Sequence, residues 1–157
     1  MEDEVMARVT AAVQRGQGGE RTAARRELES LWDGDGRADA FHRCVIAHFL
    51  ADLQDDTGDE LRWDERALAA VDGVTDERAQ EYGTALRVRG FLPSLLGSLA
   101  DDHRRLGDAE QARGFLEQAR AASDALGDDG YGDLVRGILD RVGRALDEGS
   151  TAPLPDA

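Results

Sequence analysis

The sequence contains no lysine and no asparagine, and isoleucine occurs only at positions 46 and 138. All 19 basic residues are therefore arginines. Codon bias in a GC-rich bacterial genome produces this pattern, so the arginine content by itself indicates no function. Each arginine nevertheless carries a planar, forked guanidinium that suits bidentate binding of carboxylates.

The chain has one cysteine and no long apolar run. A lone Cys44 excludes an internal disulfide and is typical of a reducing compartment. The acidic N-terminal segment MEDEVMARV lacks the apolar stretch of a signal peptide. No segment approaches the ~18 apolar residues that a membrane span needs. The sequence therefore predicts a cytoplasmic protein.

Positive charge is also scarce relative to negative charge. With 33 acidic residues, the formal net charge is −14 at pH 7. A surface of this sign repels phosphate backbones and anionic lipids. We therefore expect neither nucleic acid nor a membrane surface as a partner.

Aromatic residues make up only 5% of the chain, and alanine and leucine fill most apolar positions. Both are strong helix formers, and no segment alternates apolar and polar residues as a strand would. Apolar residues recur at helical spacing in eight segments. Seven of these predicted helices span about residues 2–15, 20–32, 37–54, 59–72, 76–89, 108–126 and 131–147. The remaining one, sixth in order, starts near residues 90–92 and ends at 106. The fold class is predicted to be all-α, with the third helix, apolar on nearly every side, at the centre.

One predicted hairpin, 92–127, has the spacing of a known repeat. The first-helix positions of the pattern are taken by Leu96, Leu99, Ala100 and His103. A Gly107–Asp108 turn follows, and the second-helix positions are taken by Ala112, Leu116 and Ala119. This pattern resembles a tetratricopeptide repeat. The second-helix spacing recurs at Ala24, Leu28 and Leu31.

The resemblance implies a single domain over residues 1–148. Its architecture would be a right-handed superhelix of about three helical hairpins, with the eighth predicted helix as a C-terminal cap. Residues 149–157 would form a flexible tail. A helical bundle without repeats is the alternative.

The resemblance also implies a binding site, because the first helices of such repeats line a concave groove that binds peptides. Eight residues are predicted to line it: His42, Phe49, Asp52, Ser94, Ser98, Asp101, Arg104 and Arg105. Arg104 and Arg105 could pair with carboxylates of a partner. A solvated helix end, favoured by the helix dipole, explains the same two arginines equally well. The lysines and asparagines with which such repeats clamp a terminal carboxylate are absent, which argues against binding a chaperone tail.

No pattern of residues indicates catalysis, a metal or a cofactor. Cys44 and His48 share a helix face, but two ligands do not make a zinc site. The acidic turn 33–39 lacks the ligand order of a calcium loop. Ser94 and Ser98 share a predicted helix with His103, but no turn motif exposes either serine as a nucleophile. We therefore predict a protein that is not an enzyme.

The sequence thus favours a protein-interaction module whose groove binds a peptide or protein. Two alternatives stay open. One is a small-ligand sensor with its site near His48, Phe49 and His103. The other is a structural homodimer formed through the apolar stripe of the eighth predicted helix.

Overall fold

The structure is a computed structural model that describes residues 4–34, 39–71, 73 and 88–154. All regular structure within these ranges is helical, so the predicted all-α class is confirmed. The helices are α1 (Glu4–Gln17), α2 (Arg21–Asp33), α3 (Ala40–Asp52), α4 (Thr57–Val71), α5 (Val88–Arg105), α6 (Ala109–Ala122) and α7 (Gly130–Asp147), with a short 3₁₀ helix at Ser123–Ala125. The fifth predicted helix lies almost entirely outside the described residues.

The chain divides into two compact units, residues 1–86 (unit 1) and 87–157 (unit 2). Unit 1 contains the helical hairpins α1–α2 and α3–α4, and α3 also contacts α1 and α2. Gly19 makes the first turn in a left-handed conformation (φ 100°), which glycine adopts without strain. The buried apolar residues of this hairpin follow helical spacing: Met6, Val9, Ala12, Ala24, Leu28 and Leu31.

Helix α3 is buried on several sides, as predicted. Its buried residues are Phe41, His42, Cys44, Ile46, Ala47, Leu50 and Ala51. The helix begins at Ala40, three residues later than predicted, because Asp39 caps it. The Asp39 carboxylate accepts hydrogen bonds from the backbone N–H groups of Phe41 (2.8 Å) and His42 (3.3 Å).

Unit 2 is built on the α5–α6 hairpin, whose turn lies at the predicted position. Gly107 is left-handed (φ 85°), and the Asp108 carboxylate accepts a hydrogen bond from the N–H of Gln111 at 3.1 Å. Helix α7 packs against both α5 and α6. Its stripe buries Val135, Leu139, Val142 and Leu146, as expected of a helix that covers a hairpin.

Helix α5 runs through Pro93, where the sequence predicts a stop or a kink. Proline lacks an N–H and crowds the carbonyl four residues before it, here that of Arg89. Because Pro93 is only the sixth residue of the helix, one backbone hydrogen bond near its end is lost. The helix therefore tolerates Pro93 and begins at Val88, earlier than predicted.

The first residues of the C-terminal tail lie against unit 2, although the sequence predicts a flexible tail from residue 149. The Ser150 carbonyl accepts a 2.8 Å hydrogen bond from Arg104 Nη1. Pro153 and Leu154 line a cavity with residues of α7. The tail therefore contacts unit 2 at Ser150 and borders this cavity at Pro153 and Leu154.

Candidate functional site

Two of the predicted groove residues, Phe49 and Asp52, line a pocket of about 180 Å³ in unit 1. The pocket lies where the end of α1, the start of α2 and the end of α3 meet. Its other lining residues are Val13, Gly16, Gln17, Arg21 and Leu53.

The pocket combines apolar side chains with a polar rim. Val13, Phe49 and Leu53 supply the apolar part. The Arg21 guanidinium donates a long hydrogen bond (3.4 Å) to the backbone carbonyl of Asp52.

His42 is not part of this pocket. It lies in the first turn of α3, two turns before Phe49, and only 8% of it is exposed. The structure therefore separates His42 from the other two predicted residues of α3.

His48 makes a contact that the sequence does not predict. Its Nδ1 lies 3.4 Å from Oδ1 of Asp64 on α4, and the Asp64 side chain is only 2% exposed. Burial by itself would lower the pKa of His48. The hydrogen bond with Asp64 and the negative charges of Asp52 and Asp64 outweigh burial, so the pKa lies above its ordinary value of 6.5.

This shift predicts a pH dependence of the stability of unit 1. A raised pKa stabilises the fold fully below the ordinary pKa of 6.5, and the contribution disappears as the pH rises through the folded pKa. We expect the free energy of unfolding to fall as the pH rises above about 6.5, with a smaller decrease in His48→Gln. Urea titrations followed by tryptophan fluorescence measure it, because both tryptophans lie in unit 1.

The matched control is His103→Gln, which changes a histidine of unit 2 and should leave the pH dependence of unit 1 intact. Equal decreases in the wild type and in His48→Gln would contradict the assignment to His48.

Cys44 is unsuited to nucleophilic chemistry. Burial raises the pKa of its thiol to about 12. The thiol therefore stays protonated at neutral pH, whereas the thiolate is the nucleophile and the metal-binding form.

In unit 2 the structure brings four predicted groove residues to one face of α5. Ser94, Ser98, Asp101 and Arg105 follow one another at spacings of four, three and four residues, and all four are half-buried. Residues at these spacings lie on one stripe of an α-helix. The four side chains therefore form one half-buried stripe of α5.

Arg104 requires a correction, because the sequence suggests a solvent-facing side chain and the structure buries it to 2% exposure. Its Nε and Nη2 donate to Asp101 Oδ1 (3.1 and 2.7 Å), and its Nη1 donates to the Ser150 carbonyl. Arg105 also uses this cluster, donating to Asp101 Oδ2 (2.9 Å) and Asp102 Oδ1 (3.0 Å). Arg104 therefore connects α5 to the tail. Its guanidinium is buried, so the prediction that it binds a partner is wrong.

His103, which the ligand-sensor alternative uses, lies within the α5–α6 hairpin. Its ring is stacked on Phe115 with 5.3 Å between ring centroids and 10° between the planes. This contact gives His103 a role in packing the hairpin of unit 2.

No local pattern in the sequence identifies Val13, Gln17 and Arg21 as pocket residues. They belong to α1 and α2, and no local pattern fixes the register of these helices against α3. The repeat pattern could have identified the α1 residues, because it predicts that the first helices of successive hairpins are neighbours.

Comparisons of the chain with known protein families, with curated proteins and with solved structures found no match. Among the helices of the described ranges, none combines the length and the apolar character needed to cross a membrane. The tetratricopeptide resemblance therefore stays a prediction from the sequence.

Proposed function

We propose that this chain is a non-enzymatic protein-interaction module of the tetratricopeptide kind, which binds a peptide or a protein segment along α1 and α3, the first helices of the two hairpins of unit 1. The observation that carries the proposal is the pocket at Phe49 and Asp52. Most of its lining comes from the ends of α1 and α3, the first helices of two successive hairpins, and Arg21 at the start of α2 completes it. First helices are the ones that such repeats use for binding.

The chemistry of the pocket suggests how a peptide would be held. An apolar side chain of the peptide would contact Val13, Phe49 and Leu53. The rim offers the Arg21 guanidinium and the Asp52 carboxylate to the peptide backbone or to polar neighbours. A single buried anchor of this kind commonly contributes much of the binding energy of an interface.

The homodimer alternative receives less support. Most of the apolar stripe of α7 is buried within unit 2, and Tyr131 (44% exposed) and Leu134 (57% exposed) are the large apolar residues left open on that helix. A stable interface buries about 1,200–2,000 Å² in total. Two side chains one turn apart supply a small part of that area.

A peptide selection tests the proposal without knowledge of the natural partner. The immobilised wild-type chain is used to select binders from a displayed library of random peptides, and the affinity of each selected peptide is then measured for Phe49→Ala. We expect about a 30-fold loss of affinity, the effect of removing an aromatic anchor.

Leu134→Ala is the matched control, since it truncates an exposed apolar side chain in unit 2. It should bind the selected peptides like the wild type. Circular dichroism verifies that both variants are folded. Undiminished binding by a folded Phe49→Ala, or equal losses in the two variants, would refute the pocket as the peptide site.

A further inference from the structure

The only two tryptophans of the chain lie together on the surface of unit 1. Trp32 on α2 and Trp63 on α4 meet edge to face, with 5.2 Å between their ring centroids and 88° between their planes. Both are only half-buried, and they line an open pocket of about 500 Å³. This pocket shares no residue with the one at Phe49, and it lies on the second helices of the two hairpins instead of the first.

Two arginine side chains of the chain itself already lie over these rings. The Arg66 guanidinium lies 4.3 Å from the centroid of Trp63, and that of Arg43 lies 5.4 Å from the centroid of Trp32. Such distances are within the range of cation–π attraction, which is strongest for tryptophan. The surface therefore has the geometry for stacking a planar cation.

Two carboxylates complete the pocket. Glu29 and Asp33 are four residues apart on α2, so they lie on the same face as Trp32, and both line the pocket. Within the described part of the chain, neither makes an ion pair or a hydrogen bond through its side chain. A guanidinium can stack on an aromatic ring and donate hydrogen bonds, in the plane of the guanidinium, to carboxylates. The tryptophan rings beside these two carboxylates therefore suit a guanidinium.

We propose that the surface formed by Glu29, Trp32, Asp33, Trp63 and Arg66 is a second interaction site, which binds an arginine-containing basic segment of a partner protein. The partner's guanidinium would replace Arg66 on Trp63 and would pair with Glu29 and Asp33. The charge of the whole chain, −14, favours the approach of a basic segment over an acidic one or a second copy of the chain.

The fluorescence of the protein reports this site directly, because both tryptophans line it. The probe is an acetylated and amidated hexapeptide of alternating arginine and alanine, added to the full chain at low ionic strength. Hexapeptides of lysine and alanine and of glutamate and alanine serve as comparisons. We expect a saturable emission change with the arginine peptide, a weaker one with the lysine peptide and none with the glutamate peptide.

The deciding variant is Glu29→Gln with Asp33→Asn, for which we expect an about five- to ten-fold weaker affinity for the arginine peptide. The matched control is Glu117→Gln with Asp140→Asn. It removes the same two charges from exposed positions of unit 2, so it should bind like the wild type. Equal losses in both double variants would mean general attraction to an acidic surface and would overturn the site.

Arg66→Gln distinguishes the chemistry of the partner. If a peptide arginine takes the place of Arg66, this variant should bind the arginine peptide two- to five-fold more tightly, a change on the order of one exposed cation–π contact. Saturable binding of the glutamate peptide that is lost in Arg66→Gln would overturn the proposal, because it would show an acidic partner. Absence of an emission change with the arginine peptide up to millimolar concentration would also overturn it.

Discussion

Replacing Arg104 by alanine is expected to lower the free energy of unfolding of unit 2 by about 3 kcal/mol. The guanidinium is buried, pairs with Asp101 and holds the tail through the Ser150 carbonyl. Removing one partner of a buried ion pair leaves the other charge without full compensation. Asp101 keeps its contact with Arg105, which places the expected loss at the lower end of the range for buried pairs.

Amide hydrogen exchange measures this effect in unit 2 separately, because the tryptophans report only unit 1. Arg113→Ala is the matched control. It removes an arginine of α6 that is 55% exposed and is paired at the surface with Asp147, and such pairs contribute at most about 1 kcal/mol. A loss for Arg104→Ala no larger than that of the control would contradict the structural role of Arg104.

Replacing Phe41 by alanine is expected to destabilise unit 1 by about 4 kcal/mol. Phe41 is completely buried at the start of α3, the helix that contacts α1, α2 and α4. The substitution removes the apolar contacts of the ring and leaves a cavity that the surrounding helices fill only in part. Urea unfolding followed by tryptophan fluorescence measures the loss.

Phe41→Leu is the control, since leucine keeps most of the apolar volume, and it should cost at most about 1.5 kcal/mol. If Phe41→Ala and Phe41→Leu cost the same small amount, α3 would not be the central helix of unit 1.

Local signals in the sequence predict most helix ends. The turns at Gly19 and Gly107 require backbone conformations that glycine adopts readily, and each follows a segment with helical periodicity. The starts of α2, α4, α6 and α7 lie within two residues of the predicted positions. The sequence predicts the start of α3 less well. Arg37 and Asp39 are both polar, and only the geometry of the cap identifies Asp39 as the capping residue.

The environment of Arg104 depends on a contact across 46 residues of sequence, which no local pattern contains. The pattern of α5 predicts that Arg105 lies on the stripe with Ser94 and Ser98. This pattern does not predict that the tail contacts the adjacent side of α5. For this reason the sequence does not show that Arg104 bonds to the tail, while both arginines pair with Asp101.

The surface at Trp32 and Trp63 also depends on packing between two hairpins. The sequence places Trp32 at the end of one predicted helix and Trp63 on the flank of another. Only the arrangement of α2 and α4 brings the rings to 5.2 Å. The likeness of successive hairpins is the signal that could have suggested the pair, because it predicts that second helices are also neighbours.

Chemical-shift mapping tests the proposed peptide-binding role most directly. A ¹⁵N-labelled chain is titrated with the tightest peptide from the random-library selection, and the amide shifts are assigned. The proposed function predicts that the largest changes lie at the ends of α1 and α3, around Gln17, Phe49 and Leu53, and that they saturate with the affinity measured in the binding assay. Saturating shifts confined to α7, or shifts scattered over both units, would contradict a peptide site in this pocket.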